Sequence, residues 1–318
     1  MPAASIVIPT RNRLEELRAL IRSALEQTVP VEVLVMDDGG SEAVAAMIGR
    51  EFPMVRYHSL GSGRGPAFQR NRGIELATAP VVFPLDDDTV IVSPRTVEQT
   101  LAEFDRPNVA AVGIPFINVR LDQLVRQRAP GTERVWVEHA FVAAAHAIRR
   151  SVFLQAGGYR EHFFYMGEEG DLCLRLLSAG YVVRLGTAEP IHHLESPRRN
   201  LALADYCGRR NDVLSAWHNT PLIFLPFHLV ATTISGLLVA VKSQNPGRMV
   251  LGLLHGYAAI LRRWRERRPV SVSVYRLHRR LKKDGPCPLD EIQGQLVPVG
   301  PEVGVGATEA HLHGETPC

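Results

Sequence analysis

Residues 79–88 read Ala-Pro-Val-Val-Phe-Pro-Leu-Asp-Asp-Asp, an apolar run that ends in three consecutive aspartates. A short apolar run of this kind is typical of a buried strand in a parallel sheet. Adjacent carboxylates repel one another, so the end of a buried strand suits them only if a cation neutralises their charge. Hard divalent cations prefer oxygen ligands, and Mg²⁺ usually binds one or two carboxylates together with substrate phosphates. The stretch therefore predicts a metal and diphosphate site; the competing interpretation is a solvated acidic turn.

The sequence on either side of this run alternates between strand and helix patterns. Apolar, β-rich runs cover residues 5–9, 31–36, 55–58, 81–85, 109–115 and 182–185, and helical periodicity covers 14–27, 41–50, 67–77, 95–104 and 171–179. This alternation predicts an α/β fold with a mostly parallel central sheet. In such sheets ligands bind beyond the carboxyl ends of the strands. Asp38 follows a second apolar strand, so we expect it on the same edge of the sheet as the three aspartates.

Beyond residue 201 the pattern becomes helical, with candidate helices at 202–218 and 248–268. Between them, residues 222–241 carry no formal charge, which predicts either a membrane span or a buried helical hairpin. Ten Lys and Arg residues between 262 and 283 form a basic patch that suits the anionic inner face of a membrane. We predict an α/β domain at 1–200 and a helical, basic extension at 201–284, with membrane contact as one interpretation. The composition of 285–318, rich in Gly, Pro and Glu, predicts a disordered tail.

Composition restricts the class of protein. The chain has 318 residues, of which 46% are hydrophobic and 22% charged, as is ordinary for a folded globular protein. A net charge of +3 is too small to indicate nucleic acid as a partner. The four cysteines are widely spaced, which indicates neither a zinc site nor a disulfide framework and favours a reducing compartment. Because the N-terminus lacks a signal-peptide pattern, we expect a cytoplasmic protein, with peripheral attachment to the inner face of the plasma membrane as the alternative.

Five short motifs follow one another along the chain. They are IVIPTRNR at 6–13, VLVMDDG at 33–39, QRNRGI at 69–74, PLDDD at 84–88 and MGEEGDLCLRL at 166–176. Their order and spacing resemble those of the inverting glycosyltransferases of family 2, of the GT-A fold, which include rhamnosyltransferase-like bacterial members. The resemblance covers roughly residues 4–200. It implies an α/β GT-A fold with a mostly parallel central sheet, here followed by a C-terminal helical extension.

The resemblance assigns binding roles to the first three motifs. Pro9, Thr10 and Asp38 match the pocket that holds the base of a nucleotide-sugar, although Asp38 alone would also suit a turn before two glycines. Arg13 and Arg70 match positions near the diphosphate, and a guanidinium group suits phosphate oxygens. The implied substrate is a nucleoside diphosphate-sugar donor.

The same resemblance assigns the metal site. Asp86 and Asp88 match the two ends of the family's Asp-x-Asp motif, with Asp87 as a spacer. It implies that Asp88 binds Mg²⁺ or Mn²⁺ most directly and that Asp86 lies near the ribose or the metal. Related proteins often carry His-x-x-Ser after the last strand of the domain, and His193 and Ser196 fit that spacing. His193 is therefore a candidate metal or phosphate contact, with a packed, hydrogen-bonded histidine as the alternative.

Glu168 and Glu169 are the candidate acid–base residues. Inverting transfer needs a carboxylate that takes the proton of the acceptor hydroxyl as its oxygen attacks the anomeric carbon. Family members typically have Glu-Asp at this position with Asp as the base, so Glu169 is the first choice and Glu168 the second. Both also precede a helical pattern, where acidic residues stabilise the helix N-terminus. Asp171 and Arg175 are spaced for a structural i,i+4 ion pair.

The resulting functional hypothesis is an enzyme that transfers a sugar, with inversion, to an acceptor hydroxyl in cell-surface glycan, lipid-linked glycan or metabolite glycosylation. The acceptor is unknown, and a lipid-linked one suits the apolar and basic C-terminal segments. Trp136 and His139 are weak candidates for the acceptor side. The glycine-rich stretch at 61–65 leaves a sugar nucleotidyltransferase as an alternative, because such enzymes use Gly-x-Gly-x-Arg loops for phosphates. A catalytically silent nucleotide-sugar-binding subunit is the third functional hypothesis.

Overall fold

The protein is described by a computed structural model that covers residues 1–61, 63–195 and 200–299. Its strands are β1 (Ala4–Thr10), β2 (Val31–Asp37), β3 (Arg56–Ser59), β4 (Val81–Pro84), β5 (Thr89–Val90), β6 (Val109–Gly113), β7 (Phe116–Asn118), β8 (Val125–Arg126), β9 (Trp136–Glu138), β10 (His146–Arg149), β11 (Val182–Leu185), β12 (Ile191–His193) and β13 (Cys287–Pro288). Its helices are α1 (Leu14–Leu25), α2 (Glu42–Glu51), α3 (Gly65–Leu76), α4 (Thr96–Ala102), α5 (Arg150–Gln155), α6 (Glu168–Ser178), α7 (Leu201–Asn219), α8 (Leu225–Lys242), α9 (Pro246–Arg262), α10 (Val272–Asp284) and α11 (Leu289–Ile292). Short 3₁₀ helices cover Glu161–Phe163, Trp264–Glu266 and Gln293–Gln295.

Nine strands form the central sheet, in the order β13-β9-β11-β6-β10-β4-β1-β2-β3. β9 and β10 are antiparallel to each of their neighbours, whereas the other pairings are parallel. Seven of the nine strands therefore run in one direction, and the predicted mostly parallel sheet is confirmed. The register of β1 on β2 ends with Thr10 opposite Asp37. The chain segments that leave these two strands consequently start at the same edge of the sheet.

Two hydrophobic layers cover the sheet because successive side chains of a strand point to opposite faces. In β1, Ile6 and Ile8 pack with the apolar sides of α1, α2 and α4, whereas Val7 packs with α3, α5 and α6. Every residue of β1 is buried, as expected for a central strand with helices on both faces. The result is a three-layer α/β/α arrangement that leaves the ends of the strands accessible.

A second, four-stranded sheet has the order β5-β12-β7-β8. β12 pairs with β7 in parallel and with β5 in antiparallel orientation, which places His193 opposite Asn118 on one side and opposite Thr89 on the other. This small sheet therefore brings the histidine next to the segment that follows the three aspartates.

The C-terminal segment is helical, as predicted, with different helix ends. α7 is capped by Asn200, whose side chain accepts a hydrogen bond from the Leu203 amide. The single helix expected at 248–268 ends at Arg262, and α10 follows as a separate helix. The apolar run is α8, but only 17% of its residues are buried, so the buried-hairpin interpretation is wrong.

Residues 285–299 differ from the disordered tail that their composition predicts. β13 pairs with β9 at the edge of the central sheet. Leu289 and Ile292 are buried in a third hydrophobic cluster with α10, because these apolar side chains complete the edge of the core. Residues 300–318 lie outside the described residues. The division into domains at residues 200 and 284 stays a prediction, although β13 makes the end of the chain part of the central sheet.

Candidate active site

A cavity of about 670 Å³ lies beyond the carboxyl ends of β1, β2 and β4. Ten of the twelve candidate site residues line it: Pro9, Thr10, Arg13, Asp38, Arg70, Asp86, Asp88, Glu168, Glu169 and His193. The structure thus brings the predicted set together, and the role of each residue stays a prediction. Trp136 and His139 do not line this cavity, because β9 lies near the opposite edge of the sheet.

Asp38 holds the glycine-rich loop at the cavity wall. Its two carboxylate oxygens accept hydrogen bonds from the backbone amides of Arg64 (2.9 Å) and Gly65 (3.1 Å). Gly65 has φ +80°, and a Cβ at this position would lie 2.6 Å from the ring of Phe164. Only glycine fits there without strain. A buried carboxylate therefore holds Arg64 and Gly65 at the end of the glycine-rich stretch.

Asp87 is a buried residue that sequence reasoning treated as a spacer. Its Oδ2 accepts a hydrogen bond from the Thr10 hydroxyl (2.7 Å), and its Oδ1 accepts one from Arg13 (2.7 Å). Arg13 also lies 3.1 Å from Asp88. Burial raises the pKa of Asp87 to about 7, although Arg13 and Thr10 oppose the shift. Asp87 thus connects the end of β1 to the segment that follows β4. It also positions Arg13, which is paired with both Asp87 and Asp88.

Asp86, Asp88 and His193 form a candidate metal site, since one ligand atom of each lies within 4.8 Å of the others. His193 Nε2 is 3.4 Å from Asp88 Oδ1, and its Nδ1 donates to Asn118 Oδ1 (2.8 Å). Burial lowers the pKa of His193, but Asp88 outweighs it, so the net shift is upward. A histidine oriented through one nitrogen, beside two carboxylates, is a donor set that fits a divalent cation such as Mn²⁺.

Asn118 is a site residue that the sequence did not reveal. It lies in a polar stretch without clear periodicity, 75 residues before His193. Only the parallel pairing of β12 with β7 brings the two together. Ser196, the other residue of the His-x-x-Ser pattern, lies outside the described residues.

Arg70 connects the candidate metal site to Glu168 of the acid–base pair. It projects from α3, is almost fully buried, and contacts Asp86 (2.5 Å) and Glu168 (3.0 Å). Burial acts to lower its pKa, but the attraction of these two carboxylates raises it above the ordinary value for arginine. Arg70 bridges two acidic groups here, and its contact with a diphosphate stays a prediction. The guanidinium holds the carboxyl groups of Asp86 and Glu168 on one side of the cavity.

Glu168 and Glu169 begin α6, and their environments differ. Glu168 is buried: its Oε1 pairs with Arg70, while its Oε2 has no hydrogen-bond partner among the described residues. Burial and the neighbouring Glu169 raise the pKa of Glu168 to about 8, against the effect of Arg70. Glu169 is more accessible, and burial raises its pKa as well. Because the two carboxylates interact, they titrate as a pair, and the pair binds a proton more readily than isolated glutamates do.

Asp171 has the structural role expected from its spacing. It is buried and contacts Arg175 (2.9 Å) as well as Arg160 (3.1 Å). Asn219 of α7 donates a hydrogen bond to the same carboxylate (2.7 Å). Burial opposes ionisation, but the two arginines outweigh it and lower the pKa of Asp171. This cluster anchors α6, and with it the two glutamates, to the C-terminal helices.

Comparison with known proteins identifies relatives of the chain. Residues 5–161 match the model for glycosyl transferase family 2. A pre-mycofactocin glycosyltransferase of Mycobacterium tuberculosis is 31% identical over 225 residues, which cover 65% of this chain and 45% of the relative. A glucosyl-dolichyl phosphate glucuronosyltransferase of Haloferax volcanii is 27% identical over 223 residues, which cover 64% of this chain and 70% of the relative. The chain thus spans less than half the length of the first of these relatives.

Solved structures show the same fold. The mannosyltransferase PcManGT of Pyrobaculum calidifontis, in complex with GDP-Man and Mn²⁺, superposes with a TM-score of 0.55 at 17% identity, covering 87% of this chain and 78% of that one. TarS 1–349 of S. aureus, in complex with UDP-GlcNAc, superposes with a TM-score of 0.59 at 14% identity, covering 92% and 90%. The expected GT-A fold with C-terminal helices is confirmed.

Proposed function

Residues 5–161 belong to glycosyltransferase family 2, and on this premise we propose that the protein transfers a sugar from a nucleoside diphosphate-sugar to an acceptor hydroxyl, with inversion at the anomeric carbon. One observation carries the proposal. A single cavity at the carboxyl edge of the sheet contains the strand-end carboxylates, a candidate metal ligand set and a pair of glutamates with raised pKa values. Perturbed carboxylates next to a cation site are the groups that such a transfer requires.

Glu169 is the general base in this proposal. The acceptor oxygen attacks the anomeric carbon from the side opposite the diphosphate, its proton passes to the Glu169 carboxylate, and the bond between the anomeric carbon and the diphosphate oxygen breaks. Glu168 lies against Arg70 and its pKa is raised to about 8, so we assign the proton-accepting role to the more accessible Glu169. Two carboxylates whose environments separate their pKa values are characteristic of acid–base sites.

In this proposal the donor binds beside the first strand ends. Pro9, Thr10 and Asp38 line the end where the nucleotide would lie. A Mg²⁺ or Mn²⁺ ion held by Asp86, Asp88 and His193 would supply positive charge that stabilises the leaving diphosphate. The fit of these three side chains supports the proposal, as does the Mn²⁺ present in the related mannosyltransferase structure.

We also propose peripheral attachment to the inner face of the plasma membrane through α8 and α9. α8 is long and apolar enough to cross a membrane, with a mean hydropathy of 1.5, yet only 17% of it is buried. The helical hairpin of α8 and α9, with the turn that precedes it, exposes large apolar side chains: Leu222, Ile223, Phe227, Val230, Ile234, Leu237, Leu238, Val239, Val241, Leu251, Leu254 and Leu261. An uncovered apolar surface of this extent marks an interaction site. The basic residues of 262–283 follow directly, which favours anionic lipid as the partner.

A lipid-linked acceptor follows from the position of α7. Asn200 and Leu203, at its start, line the cavity. Further along, α7 packs closely on α9, because a Cβ at Gly252 would lie 2.3 Å from the Tyr206 carbonyl oxygen. One helix thus extends from the cavity rim to the exposed apolar hairpin. An acceptor anchored in the bilayer would reach the cavity along this side.

Calorimetry with nucleoside diphosphates and nucleotide-sugars, with and without Mn²⁺, tests the donor proposal. We expect metal-dependent binding of one nucleotide class and release of nucleoside diphosphate when a membrane lipid extract is added. Failure of every nucleotide to bind in the presence of Mn²⁺ would refute the proposal. Release of pyrophosphate from a nucleoside triphosphate and a sugar phosphate would identify a nucleotidyltransferase. Tight donor binding without turnover against any acceptor would identify a silent binding subunit.

Vesicle co-sedimentation tests the membrane proposal. We expect the protein to sediment with vesicles that contain anionic phosphatidylglycerol, and to do so less with phosphatidylcholine alone or at high salt. Replacing exposed Leu238 with Glu should release the protein, whereas the same replacement at exposed Leu121, away from the hairpin, should not. Equal sedimentation of both variants, or none of the wild type, would contradict attachment through this surface.

A further inference from the structure

A second group of metal-ligating side chains lies outside the cavity. His162 belongs to the 3₁₀ helix Glu161–Phe163, His218 lies near the end of α7, and Glu266 belongs to the 3₁₀ helix Trp264–Glu266. One ligand atom of each lies within 4.8 Å of the others. Three segments that are far apart in the sequence therefore converge on one point, between the α/β core and the C-terminal helices.

The two histidines have ring nitrogens without hydrogen-bond partners. His218 is completely buried, and neither Nδ1 nor Nε2 is paired within the described part of the chain. The same holds for Nε2 of His162, whose ring lies 5.3 Å from that of His218. Burying a polar group without a partner costs free energy, so such a group usually has a partner that is not part of the protein. Two unpaired imidazoles facing a carboxylate point to a cation.

The two arginines near this cluster are already paired with carboxylates. Arg160 is paired with Asp171 (3.1 Å), and Arg263 is paired with Oε1 of Glu266 (2.7 Å). The second oxygen of Glu266, Oε2, lies 3.8 Å from His162 Nδ1. One carboxylate oxygen of Glu266 therefore faces the ring of His162.

We propose that His162, His218 and Glu266 bind Zn²⁺. Zinc is commonly held by two histidines and one glutamate, with a fourth position for water, and imidazole ligands favour it over Mg²⁺. The Glu266 side chain is 40% exposed, so solvent can reach the fourth position. Ligand atoms around a zinc ion lie roughly 3.4 Å apart, given bonds of about 2.1 Å, so the side chains need to close only slightly.

The site would fix the segment that carries the candidate base. His162 precedes Glu168 by six residues, and its carbonyl oxygen accepts a hydrogen bond from Arg210 of α7. Asn211 of α7 donates to the carbonyl oxygens of Phe163, Tyr165 and Met166. Zinc would add a coordinate link between this segment, the end of α7 and the turn after α9. His162 and Glu266 would thus act as positioning residues for the cavity wall.

Cobalt titration of metal-free protein tests the proposal, because tetrahedral Co²⁺ absorbs in the visible range and Zn²⁺ displaces it. The titration is performed in a His193→Gln background, which removes the imidazole of the cavity site. We expect the protein to bind one equivalent of Co²⁺ with the absorption of a tetrahedral site, and Zn²⁺ to displace the Co²⁺. Saturating Zn²⁺ should raise the melting temperature by about 5 °C.

Glu266→Gln and His162→Gln, each added to this background, should weaken Zn²⁺ binding by at least about a hundredfold, since loss of a supporting group alone costs ten- to hundredfold. His255→Gln, a histidine bonded to Tyr206 outside the site, is the matched control and should leave Zn²⁺ binding unchanged. Unchanged Zn²⁺ affinity in both site variants, or no Co²⁺ binding in the background protein, would overturn the proposal. Glu266→Gln in the wild-type chain should still bind nucleotide with Mn²⁺, which separates this site from the donor site.

Discussion

The assignment of Glu169 as the base predicts opposite outcomes for two neighbouring substitutions. Glu169→Gln removes the more accessible carboxylate of the pair. General base catalysis contributes about 10²- to 10⁴-fold, so we expect the transfer rate to fall by that factor, or about 2.7–5.5 kcal/mol of transition-state stabilisation. Donor affinity should change by less than about threefold, because Glu169 has no ion pair with Arg70 within the described residues.

Glu168→Gln should have a much smaller effect on the rate. Burial and Glu169 raise the pKa of Glu168 to about 8, which favours its neutral form at pH 7. Glutamine has the same shape and keeps an oxygen that can accept the hydrogen bond from Arg70. We therefore expect a rate within about tenfold of wild type and a loss of stability near 1 kcal/mol, the size of one weakened hydrogen bond.

Both variants are compared by two measurements. The release of nucleoside diphosphate at saturating donor gives the rate, and calorimetry with Mn²⁺ gives the donor affinity. A Glu168→Gln protein that is inactive beside an active Glu169→Gln protein would refute the assignment. Equal losses in both variants would show that the pair acts as one proton-sharing unit, which also contradicts the separate roles derived from Arg70.

Three further predictions concern the donor site, the loop and stability. Asp88→Ala should abolish the Mn²⁺ dependence of donor binding in calorimetry; a retained dependence would place the metal elsewhere. Gly65→Ala should lower the melting temperature more than Gly61→Ala does, because both glycines have positive φ but only Gly65 lies against Phe164; equal shifts would refute the close contact. His146 is buried beside the Tyr159 hydroxyl, and burial lowers its pKa from 6.5 to about 3. Its neutral form therefore stabilises the fold above pH 6.5, and this contribution is lost as the pH falls. Urea unfolding should show wild type losing about 2 kcal/mol relative to His146→Gln between pH 7 and pH 5; parallel curves would contradict this.

Much of the α/β core follows from local pattern. The apolar runs that became β1, β2 and β4 are short, buried and separated by helical periodicity, and this is enough to predict a mostly parallel sheet. The carboxyl ends of parallel strands meet at one edge of the sheet. The strand pattern therefore predicts that residues after separate strands, such as Asp38 and Asp88, share one site. Ten of the twelve candidate site residues line the cavity for this reason.

Other features depend on contacts that no local pattern encodes. The composition of 285–318 predicts disorder, yet Leu289 and Ile292 complete a hydrophobic cluster formed by distant helices. Trp136 was a weak candidate for the acceptor side, and its strand lies near the far edge of the sheet because of strand order. Strand order is set by packing among nonlocal elements, which periodicity does not reveal.

The three aspartates show which features follow from local sequence pattern and which depend on tertiary contacts. The sequence alone determined that residues 86–88 end a strand at the ligand-binding edge, because an apolar run, a turn and an alternating α/β pattern are local properties. Only the tertiary structure decided which partners each carboxylate has. Asp86 faces Arg70, Asp87 is buried against Thr10 and Arg13, and Asp88 faces His193. The partners of a carboxylate come from other strands and helices, and those partners determine its charge, its pKa and its role.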